Sequence, residues 1–121
     1  MTEIQNSKQF DLEERTYQFT KKVAIFCKQL PRNIINIEYV KQVIRASGSV
    51  GANYIEANEA FSKKDFIMRI KICRKEAKES AYWLRLIIET NDKKFEAEGK
   101  ELVKEAIELK KIFSSIIEKS K

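Results

Sequence analysis

The stretch "RASGSVGANYIEANEAFSKKDF", residues 45–66, contains the end of one predicted helix and the start of the next. It holds Gly48 and Gly51, and a glycine costs a helix interior roughly 0.5–1 kcal/mol relative to alanine. A Walker-type phosphate loop is excluded, since the two glycines are three positions apart and no lysine follows them. We therefore predict close helix packing at this point. The predicted packing residues are Ser47, Gly48, Gly51 and, at the edge, Ala52, and the rings expected to fill the space beside them are Phe66, Tyr82 and Trp83.

Four amphipathic segments, each with apolar residues at helical spacing, extend through the chain. They predict helices at about 11–30, 36–58, 63–90 and 94–119, after an N-terminal tail of residues 1–10. Short connections between helices of this length are typical of an all-α, antiparallel up-down four-helix bundle. We expect a single domain covering residues 11–121.

Local motifs indicate where the helices begin and end. Asp11, with Glu14 three residues later, predicts a capped start for the first helix, and Pro31 ends it. Ser62 predicts the N-cap of the third helix, with Asp65 as its reciprocal partner. Phe61 and Phe66 are placed to form a hydrophobic staple across that turn.

The composition narrows the location and the chemistry. No apolar segment is long enough for a secretory signal or a membrane span, so we expect a cytoplasmic protein. Cys27 and Cys73 lie on apolar stripes, which favours reduced core thiols over a disulfide. The chain contains no histidine, the commonest general base and metal ligand, so we expect no enzymatic activity, no metal and no cofactor.

Positive charge is concentrated in residues 63–85, which carry 8 Lys/Arg and 3 Asp/Glu within a chain of net charge +6. At 100° per residue, six of these cations fall on one flank of the third helix. A lysine-rich solvated face is one interpretation, and a surface that contacts phosphates is the other. We expect Lys75 to pair with Glu79, and the strip contains no interleaved aromatic residue for base stacking. The six cations are Lys64, Lys71, Arg74, Lys75, Lys78 and Arg85.

The other flank of the third helix is apolar beyond what one helix needs for its own core. It is either the margin of a wide core or a subunit interface, and we favour the interface. Polar residues recur at helical spacing on the outer face of the second helix, either as a solvated face or as a hydrogen-bond ladder at the same subunit contact. The candidate interface residues are Met68, Ile72, Trp83 and Leu86 on the third helix and Arg45, Asn53 and Glu56, with Ser49, on the second.

Several segments together resemble the bacterial four-helix-bundle family known as the ribosomal RNA intervening-sequence proteins. These are "DLEERTYQF" from Asp11, "SGSVGANYIEA" from Ser47, "SKKDFIMRIKICRKEAKESAYWLRLI" from Ser62 and "IFSSII" from Ile112. The resemblance implies an antiparallel four-helix bundle and a ring-shaped homopentamer. It extends to the accessory subunit of diversity-generating retroelements, a pentameric bundle that binds a reverse transcriptase and nucleic acid. The family has no recognised catalytic residues to transfer.

Two functions follow as hypotheses. The first is a non-enzymatic, oligomeric nucleic-acid-binding or ribonucleoprotein accessory protein that contacts RNA or DNA phosphates through the basic flank of the third helix. The alternative is a protein-interaction scaffold that binds a protein partner and no nucleic acid. Neither hypothesis involves a membrane.

Overall fold

The protein is an antiparallel bundle of four helices. The structure, a computed structural model, describes the backbone of residues 3–121 and the side chains of residues 11–121. Within that part there is no strand, and consecutive helices contact each other while the last also contacts the first. The predicted all-α four-helix bundle is thus confirmed. The helices are α1 (Glu3–Lys28), α2 (Ile34–Asn58), α3 (Lys63–Glu89) and α4 (Glu96–Lys119), with a short 3-10 turn at Lys93–Phe95 before α4.

The core is formed by one apolar stripe from each helix. Phe19 and Phe26 of α1, Val50 of α2, Leu84 of α3 and Phe113 of α4 have almost no exposed surface. Their spacing follows the 3.6-residue period that the sequence displays. Burial of each large side chain contributes roughly 1.5–3 kcal/mol, so these stripes hold the helices together and fix which face of α3 is left outside.

The start of α1 differs from the prediction. The helix begins at Glu3, so residues 3–10 are not a tail and Asp11 is not an N-cap. Residues 3–10 contain neither Gly nor Pro, and nothing in them stops the helix from continuing back from Asp11. The Glu14 carboxylate accepts a hydrogen bond from Gln18 one turn later instead of completing a capping box. The helix ends at Lys28, shortly before Pro31.

The later helix starts are closer to the predictions. Asn33 caps α2, which therefore begins at Ile34 instead of near Asn36. Ser62 caps α3 as predicted, its Oγ accepting from the Asp65 amide at 3.1 Å. The predicted hydrophobic staple is wrong, because the Phe61 ring is fully exposed and cannot cover Phe66.

Gly48 and Gly51 lie inside α2, and they face α1. A Cβ added at Gly51 would lie 3.1 Å from Thr16 Oγ1, and one added at Gly48 would lie 3.7 Å from Thr20 Oγ1. Ser47 is fully buried and its Oγ lies 3.1 Å from Thr20 Oγ1. The groups beside the glycines are thus small threonines of α1, not the predicted rings of Phe66, Tyr82 and Trp83. Ala52 is exposed and does not belong to this contact.

Candidate nucleic-acid interface

The outer surface of α3 carries the predicted basic residues. With Ser62 as its cap and no Gly or Pro inside, α3 continues for 27 residues, about 40 Å at 1.5 Å per residue. The core stripe of α3 faces inward through residues such as Ile70, Ala77 and Leu84. The opposite side is therefore presented to solvent along the whole helix.

We call the six predicted cations of α3 the basic strip. Arg74 is half-buried and the other five are exposed. Only Arg85 has an acidic partner among the described side chains, Glu89 at 3.8 Å one turn away. The remaining five form no ion pair with any described residue, so their charge is not neutralised within this part of the chain. The basic strip comprises Lys64, Lys71, Arg74, Lys75, Lys78 and Arg85.

The predicted Lys75–Glu79 ion pair is absent, and the reason lies on α2. Arg45 reaches across from α2 and its Nη2 lies 3.5 Å from a Glu79 carboxylate oxygen. Glu79 is directed toward the α2 side of the helix by this contact, whereas Lys75 lies on the outer side. The i,i+4 spacing within α3 allows Lys75 to pair with Glu79. The position of α2 decides the outcome, because it brings Arg45 to Glu79 instead.

Tyr82 was missed as a surface residue. Its side chain is 59% exposed. It follows Lys71, Lys75 and Lys78 by eleven, seven and four residues, spacings that place it within about 40° of each on the helix. The basic strip therefore does include an aromatic ring, contrary to the prediction. The helical spacing of Tyr82 from these lysines is the sequence signal that places its ring on the outer surface and not beside the glycines.

Trp83 lies behind Tyr82. The two rings meet edge to face, with centroids 5.0 Å apart and planes at 85°. On its other side Trp83 packs against Tyr39 of α2, with centroids 5.8 Å apart. Trp83 is half-buried against the core, so it links the Tyr82 ring to the body of the bundle.

The polar residues of α2 contact α3 within the same chain. We call this contact the α2–α3 seam. Arg45 Nη1 lies 3.3 Å from Glu76 Oε2, and Arg69 Nη1 donates to Asn53 Oδ1 at 2.9 Å. The Asn53 amide in turn donates to the backbone carbonyl and the hydroxyl of Ser49, each at 2.9 Å. The ladder expected from the sequence therefore has partners inside the protomer.

One atom of the seam has no such partner. Glu76 is only 6% exposed, and its Oε1 is buried without a hydrogen-bond partner among the described residues. Buried polar atoms are nearly always paired, so this carboxylate oxygen is an exception within the seam. Glu56, the last residue predicted for the ladder, remains exposed.

Comparison with known proteins identifies the family. Residues 8–115 match the model of the 23S rRNA-intervening sequence protein family. The chain belongs to that family. The fold also matches the crystal structure of a protein of unknown function from the S23 ribosomal protein family of Bacteroides thetaiotaomicron. The two are 29% identical, the match covers 87% of this chain and 96% of that one, and the TM-score is 0.75. No curated protein matches.

The apolar flank of α3 in this family member is only partly available to a partner. Met68 is 50% exposed, whereas Ile72, Trp83 and Leu86 are half-buried. Trp83 is occupied by its contact with Tyr39, so the flank is narrower than the sequence suggested. Its most accessible residue is Met68, near the start of α3.

The thiols of this intervening-sequence family chain are those of a packed core. Cys27 and Cys73 are free and buried, as predicted. Burial raises the pKa of the Cys27 thiol to about 11 and that of Cys73 to about 12, so both stay neutral and weakly nucleophilic at pH 7. Among the described residues, no three His, Cys, Asp or Glu side chains are grouped as metal ligands, and no helix is long and apolar enough to cross a membrane.

Proposed function

We propose that this protein is a non-enzymatic, homo-oligomeric accessory protein that binds nucleic acid through the basic strip of α3. The observation that carries the proposal is the run of six cations along α3, five of which have no acidic partner in the described part of the chain. Lys64 to Arg85 span about 32 Å at 1.5 Å per residue, comparable to one turn of duplex nucleic acid. A family described by ribosomal RNA is consistent with such a ligand and with a cytoplasmic location.

Phosphate contacts of this kind are independent of sequence. Each lysine that neutralises a phosphate releases counterions, so affinity falls as salt rises. Lys71, Lys75 and Lys78 are exposed within two turns of each other and are the centre of the strip. Their unpaired state matters, because a lysine already held by a carboxylate would have to give up that contact before it could bind phosphate.

The test is a charge-reversal variant, Lys71→Glu with Lys75→Glu and Lys78→Glu. The matched control is Lys21→Glu with Lys22→Glu and Lys28→Glu on α1, where all three lysines are also exposed and the change in net charge is the same. Binding of RNA and of duplex DNA is measured by fluorescence anisotropy over a salt series. We expect the α3 variant to lose affinity and to lower the salt slope by about 2 to 3, and the α1 variant to change little.

Equal loss of affinity in the two variants would contradict the proposed surface, because net charge alone would then explain binding. A wild-type protein that binds neither RNA nor DNA at about 50 mM salt would contradict nucleic-acid binding altogether. That second result would leave the protein-interaction scaffold as the better hypothesis.

The oligomeric part of the proposal is supported by the α2–α3 seam. Met68 supplies an exposed apolar group on the side of α3 next to this seam. Methionine is enriched at interfaces, and Met68 borders the basic strip, since Lys64 and Lys71 lie one turn from it on either side. The family resemblance favours five copies in a ring.

A further inference from the structure

We infer that the basic strip is a site for single-stranded nucleic acid, in which an unpaired base stacks on the ring of Tyr82 while neighbouring lysines hold the phosphates. The inference rests on the proposed function and adds to it the class of nucleic acid that is bound. Three observations carry it: the exposure of Tyr82, its position among the lysines, and its support by Trp83.

Tyr82 is an exposed aromatic residue that lies outside the apolar core. Its ring is 59% exposed, and its hydroxyl makes no hydrogen bond with any described residue. Among the side chains of residues 11–121, its aromatic contact is the edge-to-face contact with Trp83. Burial therefore does not explain why a large ring occupies this position.

The surroundings of Tyr82 favour a nucleic acid over a second protein chain. Lys78 lies one turn and Lys75 two turns before it on the same side of α3, and both are exposed. Lysine is depleted at protein–protein interfaces, whereas cations beside an aromatic ring are the combination that binds single strands. From Lys64 to Tyr82 the strip runs about 27 Å, enough for several nucleotides.

The aromatic ring discriminates between single and double strands. In a duplex the bases are stacked on one another. The Tyr82 ring on the surface of α3 would therefore contact only the phosphates and sugars of a duplex. In a single strand each base has a free face, and stacking on an aromatic residue adds to the phosphate contacts. Charge alone predicts no such preference for unpaired bases.

The position of Trp83 makes binding directly observable. It is the only tryptophan in the chain and its ring centroid lies 5.0 Å from that of Tyr82. A base stacked on Tyr82 lies close enough to change the environment of the indole. We therefore expect the tryptophan fluorescence to change when a single strand with bases is bound.

The experiment compares Tyr82→Ala and Tyr82→Phe with the control Tyr17→Ala. Tyr17 is also 59% exposed, but it lies on α1 and outside the basic strip. Each protein is titrated with four probes of about 12 nucleotides: single-stranded RNA, single-stranded DNA, a single strand without bases, and a duplex. Affinity is measured by anisotropy, and wild-type fluorescence is followed in parallel.

We expect Tyr82→Ala to lose about 10-fold in affinity for the two single strands with bases, within the range that base stacking on an aromatic residue supports. Its affinity for the abasic strand and the duplex should stay near that of wild type. Tyr82→Phe keeps the ring and should bind like wild type, as should Tyr17→Ala. A stronger effect with RNA than with DNA would identify RNA as the preferred strand.

The inference is overturned if Tyr82→Ala binds all four probes like wild type, or if wild-type fluorescence is unchanged on saturation with a single strand. It is also overturned if Tyr82→Ala changes the molecular mass in solution, which would make Tyr82 a subunit contact. In these cases the charge-reversal variant of α3 still tests the phosphate contacts separately. Loss of binding in that variant, with full binding by Tyr82→Ala, leaves the proposed function standing without the stacking.

Discussion

Gly48, Gly51 and Gly99 all lie inside helices, yet a methyl group added at each would meet different surroundings. At Gly48 the nearest atom is 3.7 Å away, an ordinary van der Waals contact. At Gly51 it is the Thr16 hydroxyl at 3.1 Å. At Gly99 of α4 the added group would lie 2.5 Å from Ile88 Cγ1 and 3.2 Å from Phe26 Cζ. The position that most requires a glycine is thus Gly99, which the sequence pattern did not single out.

These distances predict opposite effects for two alanine substitutions. Gly48→Ala should raise the free energy of unfolding by about 0.5–1 kcal/mol, because the helix gains propensity without a clash. Gly99→Ala should lower it by about 1–2 kcal/mol, since the displacement of the Ile88 side chain outweighs the gain in helix propensity. Urea unfolding followed by far-ultraviolet circular dichroism measures both, and each variant controls for the other. Stabilisation by Gly99→Ala would show that α3 and α4 are less closely packed than the structure has them.

The sequence therefore predicted which face of a helix a residue lies on, but it did not predict which residue of another helix contacts it. Helical spacing correctly placed Ser47 and Gly51 on an inward face, because periodicity depends only on the local helix. It could not identify Thr16 as the neighbour of Gly51, since that depends on which helix packs against which. The same limit applies to Lys75, whose expected partner Glu79 is held by Arg45.

The two connections at one end of the bundle are joined by a pair of asparagines. The Asn36 amide donates to Pro31 O at 2.8 Å and to Asn91 Oδ1 at 2.9 Å. The Asn91 amide donates to Asn36 Oδ1 at 2.9 Å and to Ile87 O at 2.8 Å. Asn36 is buried, so this reciprocal pair links the α1–α2 connection to the end of α3 where water has little access.

Removal of either asparagine should destabilise the bundle. Asn36→Ala and Asn91→Ala should each cost about 1–3 kcal/mol, because each leaves the other amide with unsatisfied groups in a largely buried site. The double variant should cost clearly less than the two single losses together, since both remove the same contact. The control is Asn58→Ala, which removes the hydrogen bond of the Asn58 amide to Glu13 at 2.9 Å at a less buried site and should cost less. Thermal or urea unfolding of wild type, the two single variants and the double variant completes the double-mutant cycle. Strictly additive losses of stability in this cycle would contradict the reciprocal contact.

Element boundaries were predictable where a local motif decided them. The start of α3 follows from Ser62 and its hydrogen bond to the Asp65 amide, both within one turn. The start of α1 did not follow from Asp11, because a capping pattern inside a helix-forming segment is also compatible with a continuous helix. The role of Asn36 was invisible for a third reason: its partner Asn91 is 55 positions away in the chain.

At the scale of the whole molecule, the bundle and the basic flank of α3 could be predicted because both depend on periodicity within one helix. The available width of the apolar flank could not, since it depends on how α2 covers α3. Trp83 is the largest of the predicted interface residues on α3. Its contact with Tyr39 means that a charge there would also disturb the packing of the protomer.

Met68→Lys is therefore the sharper test of self-association. Met68 is 50% exposed beside the α2–α3 seam, whereas Ile25 on α1 is 48% exposed, so Ile25→Lys introduces the same charge at similar exposure elsewhere. Wild-type protein at micromolar concentration should give, by light scattering, a multiple of the 14.2 kDa chain, with five copies favoured by the family resemblance. Met68→Lys should reduce that mass because a buried, unpaired ammonium is costly at an interface, while Ile25→Lys should leave it unchanged. A monomeric wild type would contradict self-association. An unchanged mass of the Met68→Lys variant would show that the subunit interface does not lie beside the α2–α3 seam.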